Sequence, residues 1–172
     1  AVAEASPRPI ILYNVPGRTG VNMTAETTCR LATDVENIIA VKEASGNIEQ
    51  ITQLISERPK GFNIISGDDS LAIPVIEAGG EGVISVAANA FPEHFSKMLK
   101  ASFDGNKELS YSMWEQTRSS VKMLFAEGNP VGAKCALSVM GKIGSTMRLP
   151  LVPGTPQLRE RFKMLIEKYD LH

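Results

Sequence analysis

Four short apolar runs at regular spacing constrain this chain more than any other feature. PIILYNV, IIAVKEAS, FNIISGDD and GVISVAAN are rich in β-branched residues, and each leads through a turn into a helical pattern. Their centres lie about 20 to 30 residues apart, the length of a strand, a crossover helix and a return, so they read as consecutive parallel βα units. Between them, MTAETTCRLAT opens on Thr24 as an N-cap. NIEQITQLISERP sets Ile48, Ile51, Leu54 and Ile55 on one helical face, and DSLAIPVIEAGG ends on a glycine pair. After FPEHFSKMLKASFDGN, with Pro92 at a helix N1 position, the pattern turns purely helical. It predicts helices over 106–126, 130–143 and 155–169, separated by NPVG and RLPLVPGTP. The expected organisation is a βα series over 1–104 and a helical region over 105–172.

Four parallel units do not close a barrel, and here they begin at residue 9 with no strand before them. Half of a barrel is the natural reading. The alternative, an open doubly wound sheet, calls for a nucleotide-type glycine fingerprint after its first strand. The glycines of YNVPGRTG and EAGGEG have neither GxGxxG nor GxxxxGK spacing and mark turns instead.

Composition removes whole classes of function. Eighteen basic and nineteen acidic residues give a net charge of -1, so there is no electrostatic footprint for nucleic acid or an anionic membrane. No apolar run approaches the roughly 18 to 20 residues of a membrane span, and AVAEASPRP lacks the layout of a signal peptide; a cytoplasmic address is expected. Cys29 and Cys135 stand outside any CxxC or Cys/His spacing and read as reduced and buried. His94 and His172 have no companion ligand, so no metal is expected. Small-molecule chemistry or protein assembly is left.

The ends of the strands carry the informative residues. Alternation in IIAVKE sets Ile38, Ala40 and Lys42 on one side and Ile39, Val41 and Glu43 on the other. Lys42 therefore shares a side with apolar residues that would line a barrel interior. A lysine there can simply extend its ammonium past the strand end. It can also do chemistry: an amine among apolar walls loses hydration of its charged form, and a neutral amine attacks a ketone to form a Schiff base. The same alternation pairs Ile11 with Tyr13 on the preceding strand, and adjacent strands lie about 4.8 Å apart, so Tyr13 can meet Lys42. Judged alone, Tyr13 is a packed aromatic and Arg18 a solvated loop residue. Their functional readings are a proton shuttle and a planar fork for a carboxylate.

YNVPGRTG, VKEASGN, SGDDSLAIPVIEAGGEGVISVAAN and NPVGAKCALSVMG, in this order, resemble blocks of the dihydrodipicolinate synthase family of pyruvate-dependent class I aldolases. The resemblance spans essentially the whole chain. It implies the C-terminal half of a TIM (β/α)8 barrel, its last four βα units, followed by a C-terminal helical region. It also implies Lys42 as the Schiff-base lysine, Tyr13 as proton donor and acceptor, and Arg18 as the anchor for the aldehyde substrate's carboxylate. Ile84 becomes a main-chain contact to bound pyruvate, and Gly67 a wall residue that permits close approach. No cofactor is implied beyond the covalent Schiff base, and a homo-oligomer, a dimer of dimers, is expected.

A threonine pair for pyruvate's carboxylate and a second tyrosine, which the family carries in the first half of its barrel, are not found in this sequence. The expectation is a C-terminal portion of a longer polypeptide; a fragment that joins a complementary half is the other possibility. Three functions compete. One is condensation of pyruvate with L-aspartate-4-semialdehyde to 4-hydroxy-tetrahydrodipicolinate, a step toward diaminopimelate and lysine. Another is a sister aldolase for N-acetylneuraminate or a 2-keto-3-deoxy sugar acid, against which the arginine of YNVPGRTG argues. The third is a catalytically incomplete half-barrel that serves only in assembly.

Overall fold

In the computed structural model, which describes residues 1–171, the apolar runs form one parallel sheet. Its strands are β1 (Ile10–Asn14), β2 (Ile38–Glu43), β3 (Asn63–Ser66) and β4 (Gly82–Val83), side by side in chain order. Three of the runs become strands of five, six and four residues. The fourth contributes two residues, because only Gly82 and Val83 pair with β3, opposite Ile65 and Ser66. The helices are α1 (Val2–Ala5), α2 (Pro16–Thr19), α3 (Ala25–Asp34), α4 (Ile48–Glu57), α5 (Ala72–Glu77), α6 (Ala87–Ala90), α7 (Pro92–Phe103), α8 (Lys107–Phe125), α9 (Val131–Val139) and α10 (Pro156–Tyr169). A 3-10 turn over Asp69–Leu71 leads into α5. The chain divides into two compact units, Ala1–Ser85 and the residues from Val86 onward.

In the first unit, helices cover one face of the sheet. Ile38 and Val41 of β2 and Ile64 of β3 pack with Ala25 of α3, Ile51 and Leu54 of α4 and Val75 of α5 in a single buried cluster. Full burial of a side chain such as Leu54 contributes about 1.5 to 3 kcal/mol, and truncating it to alanine would cost about 2 to 5 kcal/mol. Thr24 caps α3 as expected, its hydroxyl accepting from the Thr27 N–H at 3.2 Å. Asn47 does the same for α4, accepting from the Gln50 N–H at 3.1 Å. Of the four isoleucines and leucines expected on one face of α4, Ile51 and Leu54 are buried and Ile55 leans on the cluster, while Ile48 in the first turn stays largely exposed.

Strict alternation fails at one point in β2, and the failure corrects the expected placement of Ile38. Ile10 pairs with Ile38 but Ile11 pairs with Ala40, so Ile39 is an extra residue in the ladder. A bulge of this kind resets which side the following residues face. Ile38 accordingly joins Val41 in the helix-side cluster instead of sharing a side with Ala40 and Lys42. Ile39 is left 40% exposed. From Ala40 onward the expected alternation holds.

The second unit is helical throughout. Helix α7 packs on α8, α9 on α8, and α10 on both α8 and α9, around Phe95, Met98, Leu124, Ala136, Leu158 and Phe162. Pro92 opens α7 as expected. Helix α9 stops at Val139, short of the expected 143, because Gly141 adopts a φ of 71°. The N–H groups of Gly141 and Lys142 then fold back onto the carbonyls of Ser138 and Leu137, closing the helix end. Gly132 lets the backbone of α9 lie directly against Leu124 of α8, where a Cβ would strike the Leu124 carbonyl. Thr155 caps α10 through the Leu158 N–H, and its own hydroxyl and N–H donate to Glu127. Those two hydrogen bonds hold the Glu127 carboxyl below the usual carboxylate range.

His94 accounts for itself structurally, with Nε2 2.9 Å from the Met113 carbonyl oxygen, joining α7 to α8. His172 lies outside the described residues. Cys135 is buried as expected, whereas Cys29 is only partly covered; both are free thiols.

Candidate active site

Register alone brings Tyr13 and Lys42 together. They are direct partners across the β1–β2 ladder, on the face of the sheet opposite the helix-side cluster. The Lys42 Nζ lies 4.2 Å from the centroid of the Tyr13 ring. That is cation–π distance, and it places an amine beside a phenol with no intervening side chain. Tyr13 is 50% exposed, and among the described residues its hydroxyl has no hydrogen-bond partner. Lys42 is partly buried, flanked on the other side by Ile65 of β3. An amine in contact with a phenol ring offers the two functional groups from which Schiff-base chemistry can be built.

Gly67 stands immediately after β3 and forms a wall against that lysine. Its N–H donates to the Glu43 carbonyl at 2.7 Å. A Cβ at this position would come within 2.6 Å of the Ala44 Cβ and 3.2 Å of the Lys42 Cε. Its φ lies outside the left-handed region, so space, not torsion, is what asks for glycine. Ile84 follows β4 and gives its N–H to the Ser66 carbonyl at 2.9 Å. Any main-chain contact from Ile84 to a ligand must therefore use its carbonyl oxygen. Arg18 sits in the short helix α2 just beyond β1, exposed and without an ion-pair partner among the described residues. The structure thus sets Tyr13 against Lys42 and Gly67 against the Lys42 chain, with Arg18 and Ile84 just beyond β1 and β4, the two edge strands of the sheet.

Behind the sheet lies a polar group that the sequence reading passed over. Glu43 is 1% exposed and follows Lys42 directly, just as Asn14 follows Tyr13. The Asn14 amide donates to the Glu43 Oε2 at 2.9 Å, and the Ser45 N–H donates to Oε1 at 2.7 Å. Gln50 of α4 donates to the same Oε2 at 3.3 Å. The available signal was a carboxylate on the side of β2 that alternation assigns to Val41, where a charge needs partners.

A separate cleft of about 330 Å³ in the second unit is lined by Phe91, His94, Lys97, Met113 and Gln116 among others, and holds none of the expected site residues.

Comparison with known proteins gives one consistent result. The model of the dihydrodipicolinate synthetase family matches residues 1–169. The 4-hydroxy-tetrahydrodipicolinate synthase of Phocaeicola vulgatus is 48% identical over 168 residues, which cover 98% of this chain and 57% of that protein. The synthase of the same name from Azobacteroides pseudotrichonymphae is 51% identical over 162 residues, 94% of this chain and 55% of that protein. Among solved structures, dihydrodipicolinate synthase from Thermotoga maritima superposes with a TM-score of 0.95 at 37% identity, covering 99% of this chain and 59% of that one. The chain spans a little over half the length of these relatives and corresponds to their C-terminal portion. Its four parallel βα units and the helices after them are the second half of a TIM barrel and the helical region that follows it.

Proposed function

Because this chain belongs to the dihydrodipicolinate synthetase family, we propose that it carries the Schiff-base chemistry that joins pyruvate to L-aspartate-4-semialdehyde, giving 4-hydroxy-tetrahydrodipicolinate. The contact of the Lys42 amine with the Tyr13 ring, 4.2 Å to its centroid, supports this reading most directly. In the proposal the chain works within a complete barrel, as the C-terminal portion of a longer polypeptide.

The reaction runs on the neutral amine of Lys42. Its lone pair attacks C2 of pyruvate, and loss of water leaves a protonated imine. That imine draws electrons from the adjacent methyl group, which gives up a proton to become an enamine carbon; Tyr13 carries the proton. The enamine carbon bonds to the aldehyde carbon of the second substrate, and the aldehyde oxygen is protonated as it becomes a hydroxyl. The substrate's own amine then attacks the imine carbon, closing the ring and expelling Lys42 as a free amine. One water leaves overall, and no oxidant, reductant or cofactor is required.

Each remaining residue has a place in this scheme. Arg18 presents a planar fork to the semialdehyde's carboxylate, a group that the sugar aldehyde joined to pyruvate in a sugar-acid aldolase does not carry. The Ile84 carbonyl and the bare face of Gly67 border the keto acid. Assembly as a homo-oligomer, a dimer of dimers, and a cytoplasmic address belong to the same proposal; no helix among the described residues is long and apolar enough to cross a membrane. The deciding experiment is reduction with borohydride in the presence of pyruvate, using the enzyme with a complete barrel. A stable adduct mapped by mass to Lys42 is expected. An adduct on a different lysine, or none under turnover conditions, rejects the assignment.

A further inference from the structure

We infer that Asn14, Glu43 and Gln50 act as a positioning cluster, which locks the Tyr13–Lys42 pair in register and fastens the Arg18 loop to the same anchor. This rests on the roles proposed above for Tyr13, Lys42 and Arg18. In parallel strands, partners in register point the same way. Tyr13 and Lys42 occupy one face, and the next pair, Asn14 and Glu43, occupies the other. The Asn14 amide donating to the Glu43 Oε2 at 2.9 Å therefore ties the two strands one residue beyond the reactive pair. Any slide of β1 along β2 that separated Tyr13 from Lys42 would have to break that bond.

Asn14 also closes the loop that bears Arg18. Its Oδ1 accepts from the Met23 N–H at 3.0 Å, while its amide reaches the Asn22 Oδ1 at 2.9 Å and the Met23 carbonyl at 3.2 Å. The segment from Val15 to Val21, with Arg18 at its middle, thus leaves from Asn14 and returns to it. Gln50, in the first turn of α4, fastens the return: its Oε1 accepts from the Asn22 amide at 2.8 Å, and its amide donates to the Met23 carbonyl at 3.2 Å. Through the same amide it touches Glu43.

Stability alone gives no reason for this arrangement. All three groups that reach the Glu43 carboxylate are neutral: two side-chain amides and a backbone N–H. A buried carboxylate with such partners forfeits hydration that a well-packed apolar residue would never have needed. What the carboxylate adds is geometry, because two oxygens with fixed directions hold β1, α4 and the turn after β2 at once.

The test uses the enzyme with a complete barrel and three variants. Glu43→Gln leaves one acceptor oxygen where there were two, so either the Asn14 amide or the Ser45 N–H comes to face an NH2 group. It should lower kcat about tenfold or more, since small misplacements of reacting groups are costly, while borohydride still traps pyruvate on Lys42. The double variant Asn14→Asp with Glu43→Gln reverses donor and acceptor across the strand contact and should recover part of the lost kcat, while the new carboxylate, set against the Met23 carbonyl, raises KM for the aldehyde. Gln50→Met loosens the Arg18 loop and keeps the Asn14–Glu43 bond, removing only the longer 3.3 Å donor to that carboxylate. It should raise KM for the aldehyde about tenfold and leave kcat within about twofold, the loss typical of one displaced charge-assisted contact. A folded Glu43→Gln with parental kcat, or a folded double variant no better than the single, overturns the strand tie. Should Glu43→Gln not fold, Gln50→Met still decides: an unchanged KM overturns the cluster. Failure of the underlying reading looks different, because then the unmutated enzyme itself traps no adduct on Lys42.

Discussion

Gly67→Ala is the sharpest test of how the site is built. The added methyl would sit 2.6 Å from the Ala44 Cβ, whereas carbon atoms rest at about 3.5 to 4.0 Å, so roughly an ångström of separation must be found. Neither neighbour can supply it freely. Ala44 is held by its N–H on the Asn14 carbonyl at 2.8 Å, and Gly67 by its own N–H on the Glu43 carbonyl at 2.7 Å. Overpacking of this kind costs about 1 to 3 kcal/mol. Two further collisions lie at 3.2 Å: the Glu43 carbonyl oxygen is fixed backbone, whereas the Lys42 Cε is softer, because a lysine chain can swing by a few tenths of an ångström. That swing moves the amine relative to Tyr13, and a displacement of the nucleophile is expected to lower kcat by roughly ten- to a hundredfold. Thermal unfolding reads the first effect and steady-state kinetics the second. Since φ at Gly67 is ordinary, torsional strain contributes nothing to either. A variant with parental melting temperature and kcat would refute the claim that the wall is closed at this point.

Tyr13→Phe removes only the phenolic oxygen and should slow turnover by about a hundredfold or more while pyruvate still forms some imine; unchanged turnover would place the shuttle elsewhere. Arg18→Ala should raise KM for the semialdehyde roughly ten- to a hundredfold, matching the 1.5 to 3 kcal/mol of a lost charge-assisted contact, and Arg18→Lys should restore little. Equal losses for both substrates would count against the anchor. Burial pushes the Cys135 thiol up, with Glu127 adding to the rise and Arg159 opposing it, so little thiolate is present at pH 8. A disulfide reagent should react far more slowly there than with free cysteine, whose pKa is about 8.5. Because the folded state favours the neutral thiol, the stability this group contributes is complete below the unfolded pKa and fades as pH rises through the folded one. Reaction at the free-cysteine rate at pH 8 would contradict the burial.

Much of the first unit was legible because its signals are local. Spacing of apolar runs gave the parallel order, Thr24 the start of α3, and alternation from Ala40 onward the shared face of Tyr13 and Lys42. Three things lay beyond local reading. The bulge at Ile39 depends on how β1 and β2 settle against each other, and nothing in IIAVKE announces it. The shortness of β4 comes from its pairing with β3, although GVISVAAN has strand-like composition throughout. The Asn14–Glu43–Gln50 cluster joins residues from three elements, and hydrogen bonds across such separations are visible only once the chain is folded. Arg18 and Ile84 were placed by resemblance, because a loop arginine and a strand-end isoleucine carry no physical mark of their own.

The extra residue at Ile39 gives β2 a joint at which it can lose a residue. Ile38 already faces the same way as Ile10, and Ala40 the same way as Ile11, as though Ile39 were not there. Deleting it would straighten the ladder and leave both faces of the strand as they are. Loss of Ala40 is absorbed at the same joint, with Ile39 stepping into its place, whereas loss of Val41 would carry Ala40 into the helix-side layer and loss of Lys42 would set Val41 where the amine stands. Deletions accumulating in descendants of this chain would therefore be filtered unevenly along six residues: Ile39 is the joint at which the strand can shorten, and Val41 and Lys42 are bound to stay.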